Sequence, residues 1–227
     1  MASGIDIDGI ESALASDGLI LRGGLNFADP EERADGPSGA PAASVLLVGQ
    51  AGAGPWPHFL RWRARQPQSL ADPLDAWSRE RIGAVAGRFG GRAVSPSDRP
   101  FMPFQQWAMR AEGLKPSPLG VLMHPRYGLW HAYRGALLFD VRISIQAPDE
   151  MIHLCDLCAG KPCMKSCPIG AYSDSGFAYK SCLDHVRSPA GAACCERGCL
   201  DRNACPEGAD YRYPADAQAF HMAAFAR

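Results

Sequence analysis

The chain has 227 residues, 47% of them hydrophobic and 21% charged, a balance typical of a globular protein with a substantial core. Its 23 basic and 24 acidic side chains give a formal net charge of -1, which argues against a nucleic-acid-binding surface. The sequence contains neither a signal-peptide pattern nor the run of about 20 apolar residues that a membrane helix needs. We therefore expect a cytoplasmic protein that binds neither nucleic acid nor membrane.

Helix and strand patterns alternate through the first two thirds of the chain. Helices are predicted over Ile10–Ser16, from Asp72-Pro73 to Gly90-Gly91, and over Phe104–Glu112. Strands are predicted over Leu19–Arg22, Ser44–Gln50, Val121–His124 and Leu129–Asp140, the last two joined by a turn at 125–128. This alternation predicts an α/β (α+β) layer domain over residues 1–148, with its boundary at Gln146-Ala147-Pro148.

All nine cysteines lie in the last third of the chain, between Cys155 and Cys205. The first four have the spacing C-x2-C-x4-C-x3-C and are followed by Pro168, and Cys205 likewise precedes Pro206. This spacing is typical of bacterial-type 4Fe–4S ferredoxins, in which cysteine thiolates hold iron. Residues 149–227 are therefore predicted to form a small ferredoxin-like iron–sulfur domain, which ends in a helix over Ala215–Phe225.

Two-cluster ferredoxins share ligands crosswise, so that the cysteine before proline in one motif binds the other cluster. One cluster is then predicted to be held by Cys155, Cys158, Cys163 and Cys205. The second is predicted to be held by Cys167, Cys182 and Cys199, with Cys195 or Cys194 as its fourth ligand. Cys195 is preferred because it has C-x3-C spacing to Cys199. Two alternatives stay open: a single cluster, and zinc, which thiolate quartets also bind.

The stretch 119–139, LGVLMHPRYGLWHAYRGALLF, resembles a segment of the proteins that remove upper ligands from cobalamins. The order of the two domains resembles that of epoxyqueuosine reductase. The resemblance implies a nitroreductase-like domain that accepts a flat macrocycle such as cobalamin, with electrons delivered to cobalt. It also implies four cofactor-binding residues: His124, Tyr127, Trp130 and Arg134. Each has a structural alternative, since a histidine can bond the backbone, aromatic side chains can pack in the core and an arginine can be a structural donor.

The leading hypothesis is an iron–sulfur oxidoreductase that passes single electrons to a cofactor or substrate in the N-terminal domain. The alternative is a ferredoxin-type electron carrier that docks a partner enzyme and has no active site of its own. Both require a redox partner protein as electron donor or acceptor.

Overall fold

The computed structural model describes residues 4–28, 34–145 and 152–227, which have a mixed α/β fold. The predicted α/β class is confirmed. The strands are β1 (Ile20–Asn26), β2 (Ser44–Ala51), β3 (Arg92–Val94), β4 (Lys115–Pro116), β5 (Leu122–Met123), β6 (His131–Phe139), β7 (Tyr172–Ser173) and β8 (Gly176–Phe177). The helices are α1 (Ile7–Ala15), α2 (Trp56–Arg63), α3 (Pro73–Arg88), α4 (Phe104–Glu112), α5 (Leu154–Leu157), α6 (Tyr179–Val186), α7 (Ala192–Arg197), α8 (Leu200–Ala204) and α9 (Ala215–Phe225). Within the described ranges, no helix combines the length and the apolar character needed to cross a membrane.

The described residues form two compact units. Unit 1 contains the residues up to Gly113 and those from Ala132 to 145, whereas unit 2 contains Leu114–His131 and residues 152–227. The predicted boundary at 146–148 lies outside the described residues. The units differ from the predicted domains because 114–131 groups with the cysteine-bearing residues. Its buried side chains supply the physical reason, since Leu119, Met123 and Leu129 share a core cluster with cysteines.

A four-stranded sheet with the order β1-β2-β6-β3 forms the centre of unit 1. β1 pairs antiparallel with β2, and β3 pairs antiparallel with β6. β2 comes from the apolar run SVLLVGQ, and all seven residues of that run are buried. Burial on both faces explains why this strand occupies an inner position of the sheet.

Two helices of unit 1 bury the aromatic residues that their helical spacing predicts to face the core. α3 begins at Pro73 and buries Trp77 and Ile82, and α4 buries Phe104 and Trp107 before ending at Gly113, whose φ is 67°. A left-handed residue after a helix is a common helix stop, and glycine adopts it at least cost. Both predicted helices are confirmed, whereas α2 was not predicted.

A buried polar network joins β1, α4 and β6 in unit 1. Arg22 is 2% exposed, and its guanidinium donates to both carboxylate oxygens of Glu112 at 2.7 Å. The hydroxyl of Tyr133 donates to the same carboxylate at 2.6 Å. Burial raises the pKa of Tyr133 well above its usual value, so this hydroxyl keeps its proton. The network fixes α4 against the sheet.

Unit 2 consists of short helices and two small sheets, β4–β5 and β7–β8. The predicted strands over Val121–His124 and Leu129–Asp140 are present as β5 and β6, and His124 forms a bridge to Gly128 across the turn that follows β5. β5 pairs antiparallel with β4; both residues of β5 are buried, and Met123 belongs to the cysteine-lined core. The predicted helix over Ala215–Phe225 is confirmed as α9.

Two glycines let the turn at 124–130 approach the residues that follow Cys205. Gly128 and Gly208 have φ values of 56° and 67°, in the left-handed region that glycine tolerates. A Cβ on Gly128 would lie 2.0 Å from the carbonyl oxygen of Glu207, and one on Gly208 would lie 2.2 Å from the carbonyl of Tyr127. Only glycine permits this contact, which places the turn beside the end of the cysteine segment.

Candidate metal-cluster site

Four cysteines from distant parts of unit 2 come together around one cavity. We call them the first thiol group: Cys155, Cys158, Cys163 and Cys205. Burial, together with the neighbouring thiols of Cys205, Cys163 and Cys158, raises the pKa of the Cys155 thiol to about 11. The same causes raise the pKa of Cys163. These shifts show four thiols that interact in a partly desolvated space, where a bound cation would favour the thiolate.

The local backbone explains how the closely spaced cysteines converge. Cys155 lies on the single turn of α5, and Cys158 follows where that turn ends. Lys161 then adopts a left-handed conformation with a φ of 39°, and a 3-10 turn, Pro162–Met164, presents Cys163. The chain therefore reverses direction between Cys158 and Cys163 within four residues. Cys205 joins them from the end of α8.

The cavity of the first thiol group has a volume of about 20 Å³, about the space of one water molecule. Its apolar wall includes Met123 and Leu129, which lie within the predicted N-terminal domain of residues 1–148. Lys161 and Glu207 contribute its charged lining. The four thiols are thus brought to one small, largely apolar space.

A second set of four cysteines comes from residues 167–199 of the cysteine segment. We call it the second thiol group: Cys167, Cys182, Cys194 and Cys199. Burial, together with the neighbouring thiols of Cys199, Cys167 and Cys194, raises the pKa of Cys182 to about 11. Burial, together with the thiols of Cys167, Cys199 and Cys195, raises the pKa of Cys194. Cys167 precedes Pro168, so each thiol group includes a cysteine that is followed by proline.

Cys194 and Cys195, the two candidates for the fourth ligand of the second cluster, have different surroundings. The thiol of Cys195 donates to the backbone carbonyl of Val186 at 3.0 Å. Cys194 instead is buried among the second thiol group, with its sulfur 3.8 Å from His185 Nε2. A signal was present in the sequence, because Cys194 and Cys199 repeat the C-x4-C spacing of Cys158 and Cys163.

His124 and Tyr127 lie together in the turn of unit 2. The Nδ1 atom of His124 accepts hydrogen bonds from the backbone N–H groups of Arg126 and Tyr127 at 3.0 and 3.1 Å. The neutral ring therefore carries its proton on Nε2. The Tyr127 ring stacks on His124 at 4.1 Å and meets Tyr211 edge-on at 4.8 Å. The two residues thus have structural contacts within unit 2, and their role toward a cofactor stays a prediction.

Trp130 is fully buried and does not face an open slot within unit 2. Its ring contacts the guanidinium of Arg202, 4.5 Å from the ring centre, and meets the ring of Tyr213 edge-on at 5.4 Å. The Arg202 guanidinium also donates to the carbonyl of Leu129 at 2.6 Å. Trp130 therefore packs in the core of unit 2, which was the structural alternative to a cofactor-binding role. The same contacts connect the turn to α8.

Arg134 lies in unit 1, on β6. Its Nε donates to the side-chain oxygen of Gln50 at 2.7 Å. It lines a cavity of about 140 Å³, together with Arg79 and Asp98, which form an ion pair at 3.1 Å. Of the four predicted cofactor residues, the structure brings His124 and Tyr127 into contact, while Arg134 belongs to the other unit.

The fold is similar to that of several solved structures, although no protein-family model and no curated protein matches the sequence. Several of these structures are epoxyqueuosine reductases. One, solved with an epoxyqueuosine-modified tRNA-Tyr stem loop, is 12% identical, with a TM-score of 0.53 over 92% of this chain and 66% of that chain. The Streptococcus thermophilus enzyme is 12% identical, with a TM-score of 0.55 over 91% of this chain and 67% of that chain. The Bacillus subtilis enzyme is 14% identical, with a TM-score of 0.50 over 95% and 66%.

This chain therefore spans about two thirds of the length of the structures that it matches. At these identities the likeness shows the fold alone. The chain has an epoxyqueuosine reductase-like mixed α/β fold.

Proposed function

We propose that this protein is an iron–sulfur oxidoreductase whose cysteine segment holds two 4Fe–4S clusters and passes single electrons to a cofactor or substrate in the N-terminal domain. One observation carries the proposal: eight cysteines lie in two separate groups of four. The first thiol group would hold one cluster and the second thiol group the other. When bound, such clusters supply one-electron transfer at potentials set by their surroundings.

The spacing of the cysteines favours clusters over zinc. Zinc sites that use four thiolates are typically built from separate C-x2-C pairs. In this chain the first four cysteines have the spacing C-x2-C-x4-C-x3-C, and Cys167 and Cys205 each precede a proline, as in bacterial-type ferredoxins.

For the electron acceptor, we propose a flat cofactor such as cobalamin. The support is the fold, which is similar to that of proteins named as reductases, together with the sequence segment that contains His124 and Tyr127. In this role, the Nε2–H of His124 would be presented in a fixed orientation because the backbone holds Nδ1. Fixed orientation of a polar group reduces the cost of positioning it toward a ligand.

The second candidate function is a ferredoxin-type electron carrier without an active site of its own. The burial of Trp130 favours this function. The cofactor hypothesis requires Trp130 to contact a macrocycle, whereas its side chain is 0% exposed in the core of unit 2. Under either function we expect a protein redox partner. We do not expect a nucleic-acid partner, because the net charge of -1 supplies no excess of cations for phosphate.

The proposal is tested by anaerobic reconstitution followed by titration with cob(II)alamin, monitored by electron paramagnetic resonance. We expect iron and labile sulfide in the protein and a changed cobalt spectrum on binding. Replacement His124→Ala should weaken that change, whereas His58→Ala, which removes a half-buried histidine on α2, should leave it intact. Clusters with an unchanged cobalt spectrum would establish the electron carrier instead. Stoichiometric zinc without sulfide would contradict both functions.

A further inference from the structure

The cavity that Arg134 lines is formed entirely by residues of unit 1 and includes no cysteine. Its volume is about 140 Å³, and its lining comes from α3, β3, β6 and the turn that follows β3. A cavity of about 150 Å³ can hold a molecule of the size of benzene, so this one has room for about six non-hydrogen atoms. The side chains of Arg79 and Asp98 are 44% and 39% exposed, which gives small solutes access to the lining.

Part of the lining is apolar. Ile82 on α3 is 1% exposed and Val94 on β3 is 5% exposed, and Ala93 adds a methyl group beside them. A Cβ on Gly135 of β6 would lie 2.7 Å from Cδ1 of Ile82, so glycine lets α3 approach this strand closely. These side chains offer a surface on which the alkyl part of a ligand would be removed from water.

The charged part of the lining has one positive charge in excess. Its ionisable groups are the guanidiniums of Arg79 and Arg134 and the carboxylate of Asp98. Oδ1 of Asp98 accepts from Nε of Arg79 at 3.1 Å, and Oδ2 accepts from the backbone N–H of Ser95 at 2.7 Å. A bound anion would bring the lining to neutrality, whereas a bound cation would add to the excess charge.

Both guanidinium groups are held in place by neighbours within unit 1. Nη2 of Arg79 donates to the hydroxyl of Ser97 at 2.7 Å, in addition to the bond of its Nε. Nε of Arg134 donates to Oε1 of Gln50 at 2.7 Å, and Nε2 of Gln50 donates to the carbonyl of Gly52 at 2.8 Å. Because these bonds orient the guanidiniums before a ligand arrives, less conformational freedom is lost on binding.

We propose that this cavity binds a small carboxylate with a short alkyl chain, about the size of butyrate. The carboxylate would accept hydrogen bonds from the guanidiniums, whose planar geometry matches it, and the alkyl chain would contact Ile82 and Val94. Inorganic phosphate suits the cavity less well, because it has no apolar part for this lining. The inference goes beyond the proposed function, since it requires neither clusters nor a corrinoid, and it gives Arg134 a ligand other than the predicted flat cofactor.

The test measures the binding of butyrate, its neutral isostere butyramide and inorganic phosphate to the ¹⁵N-labelled full chain. The dissociation constants are read from the chemical shift of the Ser95 amide, which donates to Asp98 at the cavity. The variant Arg134→Gln removes one guanidinium of the lining. Its control is Arg88→Gln, which removes an exposed arginine of α3 that does not line the cavity.

We expect butyrate to bind at least about tenfold more tightly than butyramide or phosphate, because it alone satisfies both parts of the lining. Arg134→Gln should weaken butyrate binding by a similar factor, and Arg88→Gln should leave it unchanged. Should circular dichroism show that Arg134→Gln does not fold, Asp98→Asn decides, since it raises the excess charge of the lining and should tighten butyrate binding.

Equal affinities for butyrate and butyramide, or for butyrate and phosphate, would overturn the inference. Equal weakening by Arg134→Gln and Arg88→Gln, or weaker binding in Asp98→Asn, would also overturn it. Iron and labile sulfide are measured in the same samples. A protein that contains clusters and does not bind butyrate would overturn this inference alone, and one that binds butyrate but forms no clusters would overturn only the proposed function.

Discussion

The identity of the fourth cysteine in the second thiol group can be tested by comparing two adjacent residues. Cys194 is buried beside the other thiols of this group, whereas Cys195 donates to the carbonyl of Val186 at 3.0 Å. Two 4Fe–4S clusters contain about eight iron atoms, and loss of one cluster removes about four. We therefore expect about eight irons per chain in Cys195→Ala and about four in Cys194→Ala, because the first thiol group keeps all of its cysteines.

Iron and acid-labile sulfide are measured after anaerobic reconstitution and desalting, with circular dichroism to show that both variants are folded. Cys195→Ala is the matched control, since it removes a thiol from the same helix at the next position. Loss of iron in Cys195→Ala with retention in Cys194→Ala would refute the structural assignment. Equal retention in both would mean that either thiol can serve, which would also refute it.

Three further predictions concern the fold and the partners. Tyr133→Phe should lower the free energy of unfolding, measured by denaturant titration, by about 1.5–3 kcal/mol, because it removes a buried hydrogen bond to the charged Glu112. The control Tyr179→Phe, at an exposed position, should change the free energy of unfolding little. Gly170→Ala should lower the free energy of unfolding by about 1–2 kcal/mol through the positive φ of this residue alone. Gly128→Ala should lower it more and should reduce the amount of bound cluster, because the new Cβ would also collide with the carbonyl of Glu207. In fluorescence anisotropy at about 0.15 M salt, where exposed charges are screened beyond about 8 Å, the protein should show no saturable binding of tRNA.

The sequence predicted the elements whose core contacts follow a regular period. α4 was predicted at its observed bounds, and Ser44–Gln50 differs from β2 by one residue. Hydrophobic periodicity suffices for such elements because each one buries a continuous face or run. The short α2 was missed because its sequence, WPHFLRWR, mixes aromatic and basic residues and follows a glycine-rich turn.

The long-range part of the site could not be predicted from spacing. Nothing in the sequence indicated that Met123 and Leu129 would line the cavity of the first thiol group, since that contact depends on how 114–131 folds onto the cysteine segment. The burial of Trp130 could not be predicted either. The sequence around a tryptophan does not distinguish one that packs in a core from one that faces a ligand.

The central claim is that the two thiol groups hold two 4Fe–4S clusters. It is tested most directly by spin quantitation in the electron paramagnetic resonance spectrum of the dithionite-reduced, reconstituted protein. Two one-electron clusters predict about two unpaired spins per chain, with line broadening from the interaction between them. A spectrum without such spins, from a protein that contains zinc and no labile sulfide, would contradict the account.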